Sequence, residues 1–213
     1  MKITLEHISD GEVFPNNVIL LRGSVSLVKE NSQTVYIEHK YDNVVQNLST
    51  QCSSKDGKFK LLLKLRPGSN DLSVQYLSAV EAITVLHLPT KYSNKIKLLY
   101  IVCKDSDGRF QAPPDMDNDA KAACSRISLG VSLIRCFISD SLEAHGLSRK
   151  TFGVDMDENG DPNCEIFISG MTTEEAHKLS GIELWAFHAK ELLERLDDDG
   201  QDYKYLAIMA STR

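Results

Sequence analysis

The chain has 213 residues, 42% of them apolar and 25% charged, with 24 basic side chains against 30 acidic ones for a net charge of -6. That is ordinary globular usage, enough for one large domain or two small ones, and its acidic balance argues against nucleic acid or an anionic membrane as main partner. No uninterrupted apolar run approaches the roughly 18 residues of a membrane span, and the N-terminus MKITLEHISDGEVF, broken by Glu6 and His7, offers no secretory core.

Residues 1–90 read as β-structure. In VILLRGSVSL the positions Ile19, Leu21, Gly23, Val25 and Leu27 alternate with more mixed neighbours. KFKLLLKL sets Phe59, Leu61, Leu63 and Leu65 on one face, and DLSVQYL does the same with Leu72, Val74 and Tyr76. Period two in short segments means half-buried strands. TVYIEHKY and AITVLHL bring the number to at least five. Between KFKLLLKL and DLSVQYL, Pro67 presets φ and Gly68 accepts a positive φ, the chemistry of a type II turn. An all-β, immunoglobulin-like sandwich is the expected architecture.

After the linker LPTKYSNK the pattern changes, and residues 95–213 read as an α/β unit. KLLYIVCK is a continuous apolar run of the kind covered on both faces. DSDGRFQAPPDMDND is a loop by its Gly, Pro and Asp content. Ala123, Ile127, Val131, Ile134, Phe137, Ile138 and Leu142 then recur at steps of three and four, predicting a long helix capped by Asp117 or Asn118 and ended by Gly146. RKTFGVDM and CEIFIS read as short strands. Two helices follow, each with a capping box, Thr172 with Glu175 and Ser180 with Glu183. YKYLAIMAST closes the unit as a buried strand, and the acidic run Asp197 to Asp199 reads as a solvated helix end.

The stretch DMDENGD meets four requirements of a calcium loop through Asp155, Asp157, Asn159 and Gly160, but its twelfth position is Ile166 where a bidentate Glu is needed. It also lies between two β-like segments. Asn159-Gly160 favours a tight turn, so a plain hairpin is expected and calcium is the weaker reading.

Other chemistry is sparse. The five cysteines Cys52, Cys103, Cys124, Cys136 and Cys164 are scattered and contain no C-x-x-C, as expected of free, buried or half-buried thiols in a reducing, cytoplasmic compartment. The six histidines include no H-E-x-x-H pair. His188 and Glu191 read as an exposed helical pair, His145 as a helix-end cation, and Trp185 as core. No catalytic, cofactor-binding or metal-ligating residue is assigned.

LLYIVCKDSDGRFQAPP, LIRCFISDSLEAHGLSRKTFGVD, MTTEEAHKLSGIELW and DYKYLAIMASTR nevertheless resemble, as an ensemble, a eukaryotic family of zinc metallopeptidases. The resemblance implies a β-sandwich ahead of a zincin-like catalytic domain, whose H-E-x-x-H helix follows the region covered here. It carries no zinc ligand onto any residue of this chain. Zinc and a peptide or protein substrate are therefore expectations for a complete family member, and the chain itself reads as the inactive N-terminal portion or a truncated relative. The alternative is a non-catalytic interaction module built on the sandwich, with a calcium-regulated adaptor a weaker third reading. If the active-site helix is missing, Leu98 to Val102 and Tyr205 to Ala210 should present an uncovered sheet face open to self-association.

Overall fold

A computed structural model of the chain describes residues 1–26, 28, 33–195 and 203–210. They form two compact units, 1–90 with 132–151, and 91–131 with 152–213.

In the first unit the strands are β1 (Ile3–Glu6), β2 (Val13–Phe14), β3 (Val18–Val25), β4 (Thr34–Tyr41), β5 (Val44–Gln51), β6 (Lys58–Lys64), β7 (Gly68–Tyr76) and β8 (Ala79–His87). They make two sheets, in the orders β1-β3-β6 and β2-β8-β7-β4-β5. All pairings are antiparallel except β2 with β8. Alternation decides which side chains meet. Ile19, Leu21 and Val25 of β3 and Phe59 and Leu63 of β6 are buried together with Val35, Ile37, Leu72, Val74, Tyr76, Ile83 and Val85 of the larger sheet. The periodicity in the sequence thus gives the inward faces correctly, while Leu27 lies outside the described residues. Gly23 interrupts the apolar row for a steric reason: a Cβ there would meet Phe59 Cζ and the Thr4 carbonyl oxygen at 2.6 Å.

Pro67-Gly68 makes the expected turn, with Gly68 at φ +93°, and carries the chain from one sheet to the other. Buried Asn70 fixes it by accepting from Arg66 N–H at 2.9 Å and donating to the Arg66 and Gly68 carbonyls. The segment 132–151 belongs to this unit through Arg149. Its guanidinium is 4% exposed, donates to Glu12 at 2.6 Å, Asp140 at 2.5 Å and the His7 carbonyl at 2.7 Å, and lies 4.6 Å over the Phe14 ring.

The second unit contains β9 (Lys95–Cys103), the first part of α1 (Ala120–Ala144), β10 (Cys164–Ser169), α2 (Thr173–Lys178), α3 (Gly181–Arg195) and β11 (Tyr203–Met209). Its sheet has the order β10-β9-β11 and is parallel throughout. Every residue of β9 from Leu98 to Cys103 is buried, as the uninterrupted apolar run requires. Leu98, Tyr100 and Val102 pack with Ala123, Ile127 and Val131 of α1. Leu99 and Ile101 pack with Phe167 and with Leu192 of α3. The expectation that Leu98 to Val102 stand uncovered is therefore corrected: α1 and α3 take the two faces, and apolar exposure falls on the flanking strands, at Ile166, Ile168, Leu206 and Ile208.

Several local readings shift. The cap of α1 is Asp119, whose carboxylate accepts from Ala122 N–H at 2.7 Å, one or two residues beyond the expected Asp117 or Asn118. Gly146 ends α1 at φ +75°, and Leu147 N–H reaches the Leu142 carbonyl in a Schellman closure. RKTFGVDM is no strand; only the isolated bridges Ile96–Val154 and Met156–Pro162 form there. DMDENGD is a turn: Asp157 accepts from Asn159 and Asp161 N–H at 2.9 Å each, so its carboxylate closes the loop on itself. Both capping boxes form. By length and composition α1 is also apolar enough to cross a membrane, a signal spread over a face and so missed by a search for an unbroken run. Core helices of globular units carry the same signal, and Ala123, Val131 and Cys136 are buried here.

Candidate functional site

Ligands of open α/β sheets gather where parallel strands end at their carboxyl edge. In the second unit that edge is built from Cys103 to Asp105 after β9 and Ser169 to Met171 after β10, with α3 alongside. Its centre is Glu191. One carboxylate oxygen accepts from Gly170 N–H at 2.5 Å and from Arg195 at 2.8 Å. The other accepts from the Ser169 hydroxyl at 2.8 Å and lies 3.4 Å from His188 Nδ1. Burial alone would raise the Glu191 pKa, but these donors outweigh it and hold the carboxyl below its ordinary range. The guanidinium of Arg195 also donates to the Ile168 carbonyl and covers the Phe167 ring at 4.5 Å.

His188 and Glu191 are thus not the exposed pair expected; their side chains are 8% and 11% exposed. Within α3 the buried residues are His188 and Leu192, and Leu192 packs on the sheet against Leu99, Ile101 and Phe167. The opening turns of α3 find less cover, so Trp185, expected in the core, is 73% exposed beside Ile182 at 81%. The 3.4 Å approach of His188 to Glu191 lacks hydrogen-bond alignment, because both ring nitrogens are buried without a bonded partner.

Beside Glu191 the loop after β9 is tied to α2, since Asp105 accepts from Thr173 N–H at 2.7 Å and from its hydroxyl at 3.0 Å. A shallow cleft of about 380 Å³ runs along Gly170, Met171, Glu175, Lys178, Leu179 and Phe187. Its charged groups are committed: Glu175 to the capping box and Lys178 to Glu174 at 2.7 Å. This edge can hold its own loops in place, but its acceptors are spent. Among the described residues no three His, Cys, Asp or Glu side chains converge as metal ligands.

The remaining histidines with resolved partners serve structure. His39 Nε2 bonds Asn70 at 2.9 Å, His87 Nδ1 meets the Phe14 carbonyl at 3.1 Å, and His145 Nδ1 meets the Ser141 carbonyl at 2.7 Å in the last turn of α1, the helix-end role expected of it. All five cysteines are free. Burial raises each thiol, Cys136 to about 11 with help from Asp140, and Cys164 to about 12 with help from Cys124. The run Asp197 to Asp199 lies outside the described residues. Sequence reasoning missed the Glu191 anchor, although Ser-Gly directly after an apolar strand and the Glu191–Arg195 spacing were there to be read.

The model of a family described as "Putative peptidase family" matches residues 2–207. A "Putative zinc metalloproteinase" of Schizosaccharomyces pombe is 24% identical over 179 residues, which cover 81% of this chain and 28% of that protein. The chain therefore spans under a third of that relative's length. With nearly its whole length matched, the chain belongs to this peptidase family.

Proposed function

We propose that the chain is the non-catalytic N-terminal part of a zinc-dependent metallopeptidase: an immunoglobulin-like sandwich followed by the front of a zincin-like domain, serving as scaffold for a zinc site supplied by further polypeptide. The observation that carries this is the family match over residues 2–207 combined with coverage of only 28% of a relative named as a zinc metalloproteinase. One feature supports it: Ile182, Trp185 and Leu193 of α3 are 73 to 81% exposed, as expected of a helix face that another element covers. Peptides or proteins are the substrate class of the complete enzyme. Five free thiols support residence in the cytoplasm.

The test compares this chain with the full coding sequence containing it, both purified without chelator. The longer protein should hold about one zinc, which would supply Lewis-acid chemistry, and should cleave a denatured protein substrate. The 213-residue chain should do neither. Stoichiometric zinc on the short chain would overturn the assignment.

A further inference from the structure

The five thiols differ in what surrounds them. Cys52, Cys103 and Cys136 are buried, whereas Cys124 and Cys164 are half-buried. Cys103 hydrogen-bonds Thr173, and Cys136 meets the Asp140 carboxylate at 3.7 Å. Cys124 and Cys164 hydrogen-bond one another. Both belong to the second unit. Cys124 stands in the second turn of α1, next to Ala123, which is buried with Tyr100 and Val102 of β9. Cys164 opens β10, opposite Leu98 in the parallel ladder. Both side chains pack on that one cluster, and Cys164 also packs on Leu98, Val131 and Val154. Helix and strand thus hold two sulfurs in contact from places far apart in sequence, and only the approach to an S–S bond of about 2.0 Å separates them from a disulfide.

The contact is asymmetric. Burial raises the Cys124 thiol, but the bond from Cys164 works against that. Cys164 is pushed up to about 12, by burial first, then by the same bond, the charge of Cys124 and that of Glu165. Cys124 is therefore the thiol that ionises first, and the thiolate is the nucleophile. A Cys124 already joined to another sulfur carries no charge, which removes the Coulombic part of its hold on Cys164 and readies the second thiol.

We infer that Cys124 and Cys164 are a reversible redox pair, which a small-molecule disulfide such as glutathione disulfide converts into an intramolecular bond tying α1 to β10. The Cys124 thiolate attacks one sulfur of glutathione disulfide; the S–S bond breaks, a mixed disulfide forms and one glutathione thiolate leaves. The Cys164 thiolate then attacks Cys124 Sγ, expels the second glutathione and closes the ring. The protein gives up two electrons and two protons, and glutathione disulfide takes them to become two thiols. In a reducing compartment the pair stays open, and it closes when the disulfide share of the glutathione pool rises. Closure restrains the chain from residue 124 to residue 164, a long loop, so the bond stabilises the second unit. The inference is independent of the peptidase assignment.

The experiment equilibrates the intact chain in glutathione buffers of rising disulfide share, blocks the remaining thiols and maps tryptic peptides without reduction. Peptide 122–126, AACSR, should appear joined to peptide 151–178, lighter than the two together by two hydrogens, and should separate on adding dithiothreitol. The melting temperature should rise by roughly 5–10 °C on oxidation and return on reduction. Cys164→Ser should stop at the mixed disulfide on Cys124, and Cys124→Ser should leave Cys164 largely unmodified. Failure of the joined peptide to form, bonds that instead involve Cys52, Cys103 or Cys136, bonds between copies, or an oxidised chain that melts no higher than the reduced one would overturn the inference. So would a Cys124→Ser chain that takes glutathione at Cys164 as readily as Cys164→Ser takes it at Cys124.

Discussion

Replacing Arg149 with methionine should be the most damaging single change in the first unit. The guanidinium is 4% exposed and meets Glu12 at 2.6 Å and Asp140 at 2.5 Å, whose own side chains are only 19% and 26% exposed. Burial by itself would lower its pKa, but bonds and charge from Glu12 and Asp140 outweigh that and hold it above the ordinary value. Methionine keeps the packing stem and removes the charge, leaving two half-buried carboxylates facing each other. Breaking a buried pair from one side costs about 3–5 kcal/mol, and loss of the cation over Phe14 adds roughly 0.5–2 kcal/mol. Glu143, at 3.7 Å and 40% exposed, adds little. We therefore expect a loss of about 4 kcal/mol, a large part of the 5–15 kcal/mol that typically separates folded from unfolded. Urea unfolding measures it, and the triple variant Arg149→Met, Glu12→Gln, Asp140→Asn should recover much of the loss because no charge is then stranded. A single-variant loss below about 1 kcal/mol, or no recovery in the triple variant, would refute the reasoning.

Glu191→Ala should release the loop after β10 and destabilise the second unit by about 1–3 kcal/mol, since it takes the acceptor from the buried Ser169 hydroxyl, while the exposed Gly170 N–H and Arg195 guanidinium turn to water; hydrogen exchange at Gly170 and Met171 should rise first. The His87 pKa is lowered from 6.5, by burial first and by the charge of Arg135, against the Phe14 carbonyl. The unfolded chain therefore binds the proton more tightly. The contribution of His87 is complete above pH 6.5 and falls as pH drops below it, and His87→Gln should flatten that part of the stability profile. Gly23→Ala should cost about 1–3 kcal/mol by driving a methyl into Phe59 and the Thr4 carbonyl, as read by a lower melting temperature. Asp155→Ala should leave the melting temperature and its indifference to millimolar calcium unchanged, because Asp157 closes that turn internally.

What was legible in the sequence is what depends on neighbours a few residues away. Alternating Leu72, Val74 and Tyr76 marks a strand, the apolar run of β9 marks a strand buried on both faces, and Thr172 with Glu175 marks a helix start. β5 escaped because only Leu48 and Thr50 are even half-buried, so no alternation is imposed on it. RKTFGVDM was overread because a β-like composition does not supply a partner strand. The Glu191 anchor depends on loop and helix residues 21 and 22 apart meeting in space, and Trp185 on how far α3 extends past its support. Gly23 looked like a break in a pattern. Its reason is a ring that the chain brings up 36 residues later, from residue 23 to residue 59.

The raised thiols turn the chain into its own stopwatch. A thiolate is the reactive form, so with Cys136 near 11 and Cys164 near 12 an alkylating reagent at neutral pH gains little hold on the closed protein. At the buried thiols Cys52, Cys103 and Cys136, labelling then waits for local opening, as amide exchange does. Cys52 and Cys136 report from the first unit and Cys103 from the second. Three rates read by mass spectrometry on the unmodified protein would therefore rank the local openings, without a single engineered probe.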